Sequence, residues 1–307
     1  MLCVRLIDES TGFFAPVAAW LSGAGSTCLV DGGEIALSNA SDTTLERTLA
    51  RANLGAVFGD LIAPLLVSGA RAAGIEWRWI FVVAGASVAG YAIALSGGTF
   101  APPRPQTHPE AGPDTAPPRP ILRHAAVWWL GVAALITGPL DEPYLATVLA
   151  FVQDRRDVSP AVATLVACGF VAGGLLVFTV LLRRVEGRGA PGVLLGAGAT
   201  MAAAALAVVV APTWAIVVVG LFHSAALDSQ WLTLQTAALR VAPGREGRAM
   251  ALIQAIEMAG IAIPIAFGTV ADHFGIEWGM VCFAALPLTL VVPAIGVHRA
   301  RLSGATP

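Results

Sequence analysis

The tetrapeptide Gly-Ile-Glu-Trp stands at residues 74–77 and again at residues 275–278, each time before an apolar run. When the sequence is shifted against itself by 201 residues, the distance between the two copies, further identities appear upstream. A slightly shorter shift pairs Asp31 with Asp228. Such a run of matches indicates an internal repeat. The pairs matched at the shift of 201 residues include Arg47 and Arg248, Ala50 and Ala251, Gly59 and Gly260, Ile62 and Ile263, and Ala70 and Ala271.

The composition indicates a chain whose solvent is lipid. Hydrophobic residues make up 56% of it and charged residues 12%, and the mean hydropathy is +0.75. Soluble domains carry about 25% charged residues. The formal net charge of −2 indicates no excess of basic residues of the kind that binds nucleic acid. The four cysteines lack the spacing of metal ligands, so no metal site is expected.

Nine apolar stretches reach about twenty residues, the length that a helix needs to cross the hydrocarbon core. They predict an all-α, polytopic membrane bundle of about nine transmembrane helices. The predicted spans are 12–38, 53–73, 78–97, 124–152, 160–182, 190–211, 213–239, 249–271 and 278–297.

A proline-rich stretch divides the spans into two blocks. Residues 99–121 contain few large apolar side chains, and proline lacks the backbone donor that a helix needs. We expect a cytoplasmic linker here, between an incomplete N-terminal bundle (1–98) and a six-helix C-terminal bundle (122–299). Since cytoplasmic loops are rich in arginine, the arginine distribution places the C-terminus in the cytoplasm. The expected location is the cytoplasmic membrane of a bacterium.

Six predicted spans separate the two GIEW copies, so both copies have the same orientation. This pattern indicates a 6+6 parallel repeat, as in many secondary transporters. The first copy follows only two spans, whereas the second follows five spans of its own block. The N-terminal block is therefore expected to lack three helices, and the chain to correspond to helices 4–12 of twelve.

Ionisable side chains within membrane spans are costly, and each is a functional candidate. In the sequence GPLDEPY (138–144), Pro139 and Pro143 predict a discontinuous helix at mid-membrane. Asp141 and Glu142 at this break are candidates for substrate recognition or proton coupling. The alternative is a structural kink whose acids are satisfied by neighbouring helices.

The span 213–239 carries a polar stripe at three- and four-residue spacing, formed by Ser224, Asp228, Trp231 and Gln235. It is interpreted as a cavity lining, with a hydrogen-bonded packing seam as the alternative. His223 lies beside the stripe, and we expect it to have a packing role, with a proton relay as the alternative.

Other acids complete the candidate pathway. Glu257 shares a helix face with Gln254 and is a candidate for proton or substrate binding. Asp31 and Glu34 in the first span belong either to the pathway or to a gate or loop anchor. For Asp60 we expect an arginine partner, either from one of the missing helices or from the loop between the first two predicted spans.

A basic turn at 183–189 contains Arg183, Arg184 and Arg188. Its ordinary interpretation is positive-inside anchoring. The functional alternative is a gating latch that pairs with acids at helix ends.

Local sequences agree with a known family. SGAGSTCLVDGGEIALSNAS (22–41) resembles the fourth helix and following loop of efflux-type members of the major facilitator superfamily. GIEWRWIFV (74–82) is similar to their turn into helix 6, GTVADHFG (268–275) to their helix 11–12 junction, and RRVEGRG (183–189) to a degenerate copy of their basic loop signature. The resemblance covers nearly the whole chain, but the signature loop between helices 2 and 3 has no counterpart.

The resemblance implies a secondary transporter that moves a small organic solute by alternating access, as proton-coupled efflux. Its expected partners are the lipid bilayer and the solute. No cofactor is expected beyond a proton gradient, and the full-length protein is expected to be a monomer. The alternative is a truncated, non-transporting remnant or a partner subunit of a membrane complex. Motifs of membrane-embedded enzymes such as HExxH and GxSxG do not occur, so no enzymatic activity is predicted.

Overall fold

The computed structural model describes residues 30, 33–34, 36–37, 44–96, 120–185, 189–242 and 245–304. Across these ranges it contains α-helices, short 3-10 and π turns and no β-strand. The α-helices are α1 (Leu45–Ala72), α2 (Trp77–Ser96), α3 (Ala125–Thr137), α4 (Glu142–Arg156), α5 (Pro160–Leu176), α6 (Leu182–Val185), α7 (Ala190–Val210), α8 (Thr213–Val241), α9 (Glu246–Glu257), α10 (Ala262–Phe274), α11 (Ile276–Ala285) and α12 (Val291–Gly304).

The membrane bundle predicted from hydropathy is confirmed. Six described helical segments are long and apolar enough to cross a membrane, and a shorter apolar helix covers Arg78–Ala94. Each falls on a predicted span. The predicted span 12–38 and the linker 99–121 lie largely outside the described residues. The six segments are Leu45–Ala72, Pro160–Leu181, Ala190–Val210, Thr213–Val241, Glu246–Phe274 and Ile276–Ala300.

The predicted span 124–152 is discontinuous, as its prolines predict. Helix α3 ends at Thr137, a 3-10 turn covers Gly138–Leu140, and α4 begins at Glu142. Asp141 between them has a non-helical ψ of −118°. Pro139 and Pro143 each remove a backbone N–H group, so the α-helical hydrogen-bond ladder cannot run through this segment.

A second break, which the sequence did not predict, interrupts the span 249–271. Helix α9 ends at Glu257, a 3-10 turn covers Met258–Ile261, and α10 follows. Pro264 lies in the first turn of α10, and its missing N–H leaves the carbonyl four residues earlier without a helical partner. The backbone before the proline tightens into the 3-10 turn.

The two GIEW sequences form corresponding turns between consecutive helices. Gly74 (φ +70°) lies between α1 and α2, and Gly275 (φ +101°) lies between α10 and α11. Both φ values are in the region that favours glycine, which explains why each copy begins with this residue. Glu277 of the second copy forms an ion pair with Arg155 at 2.9 Å. We call the end of the bundle that carries these turns the GIEW end.

Helix α8 occupies the centre of the described bundle. It packs against α5, α7, α9, α3 and α1. Helix α1 attaches to the C-terminal block through α5 and α8, and among the described elements the main neighbour of α2 is α1. Apolar side chains of α2 such as Phe81 and Ile93 are therefore exposed, as expected for residues that face lipid.

Candidate functional site

The two helix breaks cross at close range. A Cβ atom added to Gly260, in the second break, would lie 2.6 Å from the carbonyl oxygen of Leu135. Pro139 leaves that carbonyl without its helical N–H partner. A Cβ atom added to Gly138, in the first break, would lie 3.1 Å from Glu257 Oε1. The lack of side chains on both glycines lets the two breaks approach each other.

Replacement of Gly260 by alanine should destabilise this crossing. The added Cβ would contact a backbone atom that cannot rotate away, and overpacking of this kind costs about 1–3 kcal/mol. We expect the melting temperature of the purified protein in detergent to fall by several degrees. Gly268→Ala on α10 is the matched control, because nothing lies within 4 Å of an added Cβ there. Equal melting temperatures for the two variants would contradict the close crossing.

A cavity of about 560 Å³ lies beside the crossing. Five of the predicted pathway residues line it: Asp141, Glu142, Trp231, Gln235 and Glu257. They come from the first break, from α4, from α8 and from α9. The polar lining also includes Gln254, which shares a helix face with Glu257 as expected. Apolar side chains, among them Met258, Ile261 and Pro264, form the rest of the wall.

Glu34 is connected to this cavity by a chain of hydrogen bonds through Gln235. The Nε2 atom of Gln235 donates to Glu34 Oε1 at 2.7 Å, and Nδ2 of Asn53 donates to Gln235 Oε1 at 2.8 Å. Glu34 and Gln235 are 4% and 3% exposed, so the chain lies in the protein interior. It joins α1 and α8 to the segment around residue 34. Asp31, the other acid predicted in that segment, lies outside the described residues.

Asp228 lies in a second, smaller cavity of about 80 Å³. Asp60 of α1 and Asp141 also line this cavity, so Asp141 borders both cavities. Ser224 Oγ donates to Asp228 Oδ2 at 3.0 Å. No arginine is among the described residues that line this cavity. The arginine partner expected for Asp60 stays a prediction.

His223 packs against aromatic side chains and also lines the small cavity with the three aspartates, so its role stays a prediction. It is 1% exposed, its ring centroid lies 4.5 Å from that of Tyr144, and its Nε2 atom lies 3.0 Å from the carbonyl oxygen of Leu140. Leu140 is the last residue of the first break. The imidazole thus forms a hydrogen bond with a backbone carbonyl group at the end of the 3-10 turn.

The basic turn takes no part in the ion pair that joins α1 and α8. Arg183 is exposed and forms no ion pair with the described residues, whereas the Arg184 side chain and Arg188 lie outside them. Arg240 of α8 pairs with Glu46 of α1 at 2.7 Å. Glu46 lies at the start of α1, and the first GIEW turn follows the end of α1. The ion pair therefore lies at the end of the bundle opposite the GIEW turns.

Sequence reasoning missed Asn53, Gln230 and the Glu46–Arg240 pair. A signal existed for Asn53, because it lies seven residues before Asp60 and therefore on the same face of α1. Gln230 is fully buried, and its amide donates to Thr137 Oγ1 across α8 and α3. Nothing in the sequence distinguishes Glu46 and Arg240 from other charges at helix ends.

Comparison with known proteins gives one match. The family model described as Major Facilitator Superfamily matches residues 2–263. No curated protein and no solved structure matches the chain.

Proposed function

Because the chain belongs to the major facilitator superfamily, whose members are membrane transporters, we propose that it moves a small organic solute across a bacterial cytoplasmic membrane by alternating access. The transport is coupled to protons and directed outward, with the C-terminus in the cytoplasm. Residues 1–98 and 122–299 act as the two moving halves, joined by the linker 99–121. The energy source is the proton gradient, no further cofactor takes part, and the transporter acts as a monomer.

The 560 Å³ cavity between the two broken helices carries this proposal. Its volume falls within the range of about 300–1,000 Å³ that is typical of small-molecule sites. Discontinuous helices at mid-membrane are the usual framework of transporter binding sites. Trp231, Glu142 and Glu257 supply an aromatic face and two carboxylates on separate helices. These groups bind the solute.

The smaller cavity supports the assignment of proton coupling. Asp60, Asp141 and Asp228 border a space with room for only a few water molecules. Like charges held close together in a medium of low dielectric constant repel one another, so binding of a proton there lowers the free energy. Asp141 borders both cavities, which allows the solute to influence the proton site.

Contacts between α1 and α8 at the Glu46–Arg240 end support a gate. The hydrogen-bond chain from Asn53 through Gln235 to Glu34 joins the two blocks at this end, and the ion pair adds to it. In the transport cycle these contacts break when that end opens. Asp31, Arg183, Arg184 and Arg188 are assigned to the pathway and to this gate on the sequence pattern alone. The outward direction rests on the resemblance of residues 22–41 to efflux-type members.

Transport can be tested without knowledge of the substrate. Purified protein is reconstituted into liposomes that contain a fluorescent pH indicator, and a panel of organic anions, cations and neutral solutes is added. We expect at least one solute to move protons across the membrane and to accumulate when a pH gradient is imposed. Glu142→Gln should reduce this flux about ten-fold, because it removes one of the charges that line the cavity. Glu76→Gln on the exposed GIEW turn is the control.

Two outcomes would contradict the proposal. If no solute in the panel gives flux above that of protein-free liposomes, the chain is not a transporter by itself. If Glu142→Gln transports as fast as the wild type, Glu142 has no part in solute or proton binding.

A further inference from the structure

The charges that line the 560 Å³ cavity are of one sign. Asp141, Glu142 and Glu257 contribute carboxyl groups, and none of the described lining residues is arginine, lysine or histidine. A solute with a carboxylate or phosphate would face these acids without a partner cation. Burial of an unpaired charge costs several kcal/mol, so the cavity disfavours anions.

A neutral, hydroxyl-rich solute gains less from this wall than a cation does. Its hydroxyl groups can donate to the carboxylates, but it carries no charge that offsets theirs. Its hydroxyl oxygens also need donors, and Gln235 already uses one of its two N–H groups on Glu34. Gln254 is the other glutamine on the wall.

The rest of the wall suits a lipophilic body that carries positive charge. The indole ring of Trp231 lines the same cavity as the carboxylates, and aromatic faces attract cations, indole most strongly. Met258, Ile261 and Pro264 provide apolar surface for the uncharged part of the solute. No set of three or more His, Cys, Asp or Glu side chains in the described ranges is arranged to hold a metal ion. An organic cation therefore fits this lining better than an inorganic one.

We propose that the solute is a lipophilic organic cation, such as a quaternary ammonium or phosphonium compound, which Glu142 and Trp231 recognise in this cavity. This inference rests on the proposed function, because it assigns a substrate class to the same site. Glu142 supplies the opposing charge at the start of α4, and Trp231 supplies the aromatic face from α8. The apolar side chains of the second break enclose the substituents.

Binding of two ions with the same shape and opposite charge tests the inference. The purified full chain in neutral detergent is dialysed against radiolabelled tetraphenylphosphonium or tetraphenylborate, and the bound fraction is measured. We expect tetraphenylphosphonium to bind at least about ten-fold more tightly than tetraphenylborate. Equal affinities, tighter binding of the borate, or no binding of either ion would overturn the proposal, and this comparison requires no variant.

Two variants locate the bound cation. Glu142→Gln should weaken tetraphenylphosphonium binding about ten-fold, and Trp231→Leu about three- to ten-fold. The matched controls are Glu76→Gln on the GIEW turn and Trp214→Leu, whose side chain is 75% exposed at the start of α8. If wild type and both cavity variants bind the cation equally, the site lies elsewhere and the assignment is wrong.

The outcome is separable from that of the liposome experiment. A chain that moves protons with some other solute, but shows no preference for the phosphonium ion, disproves the substrate class and leaves the transport function intact. If the chain binds the phosphonium ion but moves no solute, the proposed binding site is supported and the proposed transport function is disproved.

Discussion

Replacement of Asp228 by asparagine should uncouple transport from the proton gradient. Asparagine has nearly the same shape and can still accept the hydrogen bond from Ser224, which lies 3.0 Å from the carboxylate. It cannot take up or release a proton. Since coupling between two ligands typically corresponds to a factor of about 5–150, we expect gradient-driven uptake of the most active solute to fall about ten-fold or more.

The decisive measurement compares two modes of transport in the same liposomes. Gradient-driven accumulation should be lost in Asp228→Asn, whereas exchange of labelled for unlabelled solute without a gradient should continue. Loss of both modes would indicate that Asp228 holds the solute or the fold. Unchanged accumulation would show that coupling does not involve Asp228. Asp154→Asn on the exposed part of α4 is the control, because it makes the same chemical change away from both cavities.

Replacement of Gly173 by valine should prevent α5 from packing against α8. A Cβ atom added to Gly173 would clash with both the backbone nitrogen of Ala225 and the carbonyl oxygen of Leu221. Both atoms belong to the central helix, which is fixed by its other neighbours. Overpacking that cannot relax by side-chain rotation costs about 3 kcal/mol or more.

This effect should be visible in the yield and stability of the purified protein. We expect Gly173→Val to give little monodisperse protein in size-exclusion chromatography and to unfold at a clearly lower temperature than the wild type. Gly196→Val on α7 is the matched control, because nothing lies within 4 Å of a Cβ atom there. If the two variants behave alike, the close contact between α5 and α8 is incorrect.

Hydropathy predicted most of the fold because lipid imposes a simple constraint on length. The span predicted at 190–211 is helix α7, Ala190–Val210, and the break predicted from Pro139 and Pro143 occurs at Gly138–Leu140. The break at Met258–Ile261 was not predicted. A single downstream proline such as Pro264 is often accommodated by a bend, so the proline alone did not predict a 3-10 turn. In the structure the turn coincides with the close approach of Gly260 to the Leu135 carbonyl.

The candidate site was predictable in its members but not in its arrangement. The high cost of charge in lipid identified Asp141, Glu142 and Glu257, and these residues do lie on one cavity. The stripe on α8 was interpreted as a cavity lining, and its residues are divided between two cavities: Asp228 borders the small one and Trp231 the large one. Helical periodicity gives the direction of a side chain, and the neighbouring helices decide which space it borders. The functional roles of these residues stay predictions.

The contacts that join α1 to α8 at the Glu46–Arg240 end are individually weak. Arg240 is more than half exposed, and ion pairs of this kind contribute less than about 1 kcal/mol because water competes for both charges. The hydrogen bonds between Asn53, Gln235 and Glu34 add about 1 kcal/mol each. Contacts of this strength are compatible with opening on the microsecond-to-second timescale of collective motions in proteins. For the gate proposed at this end, weak polar contacts favour rapid turnover over a long-lived closed state.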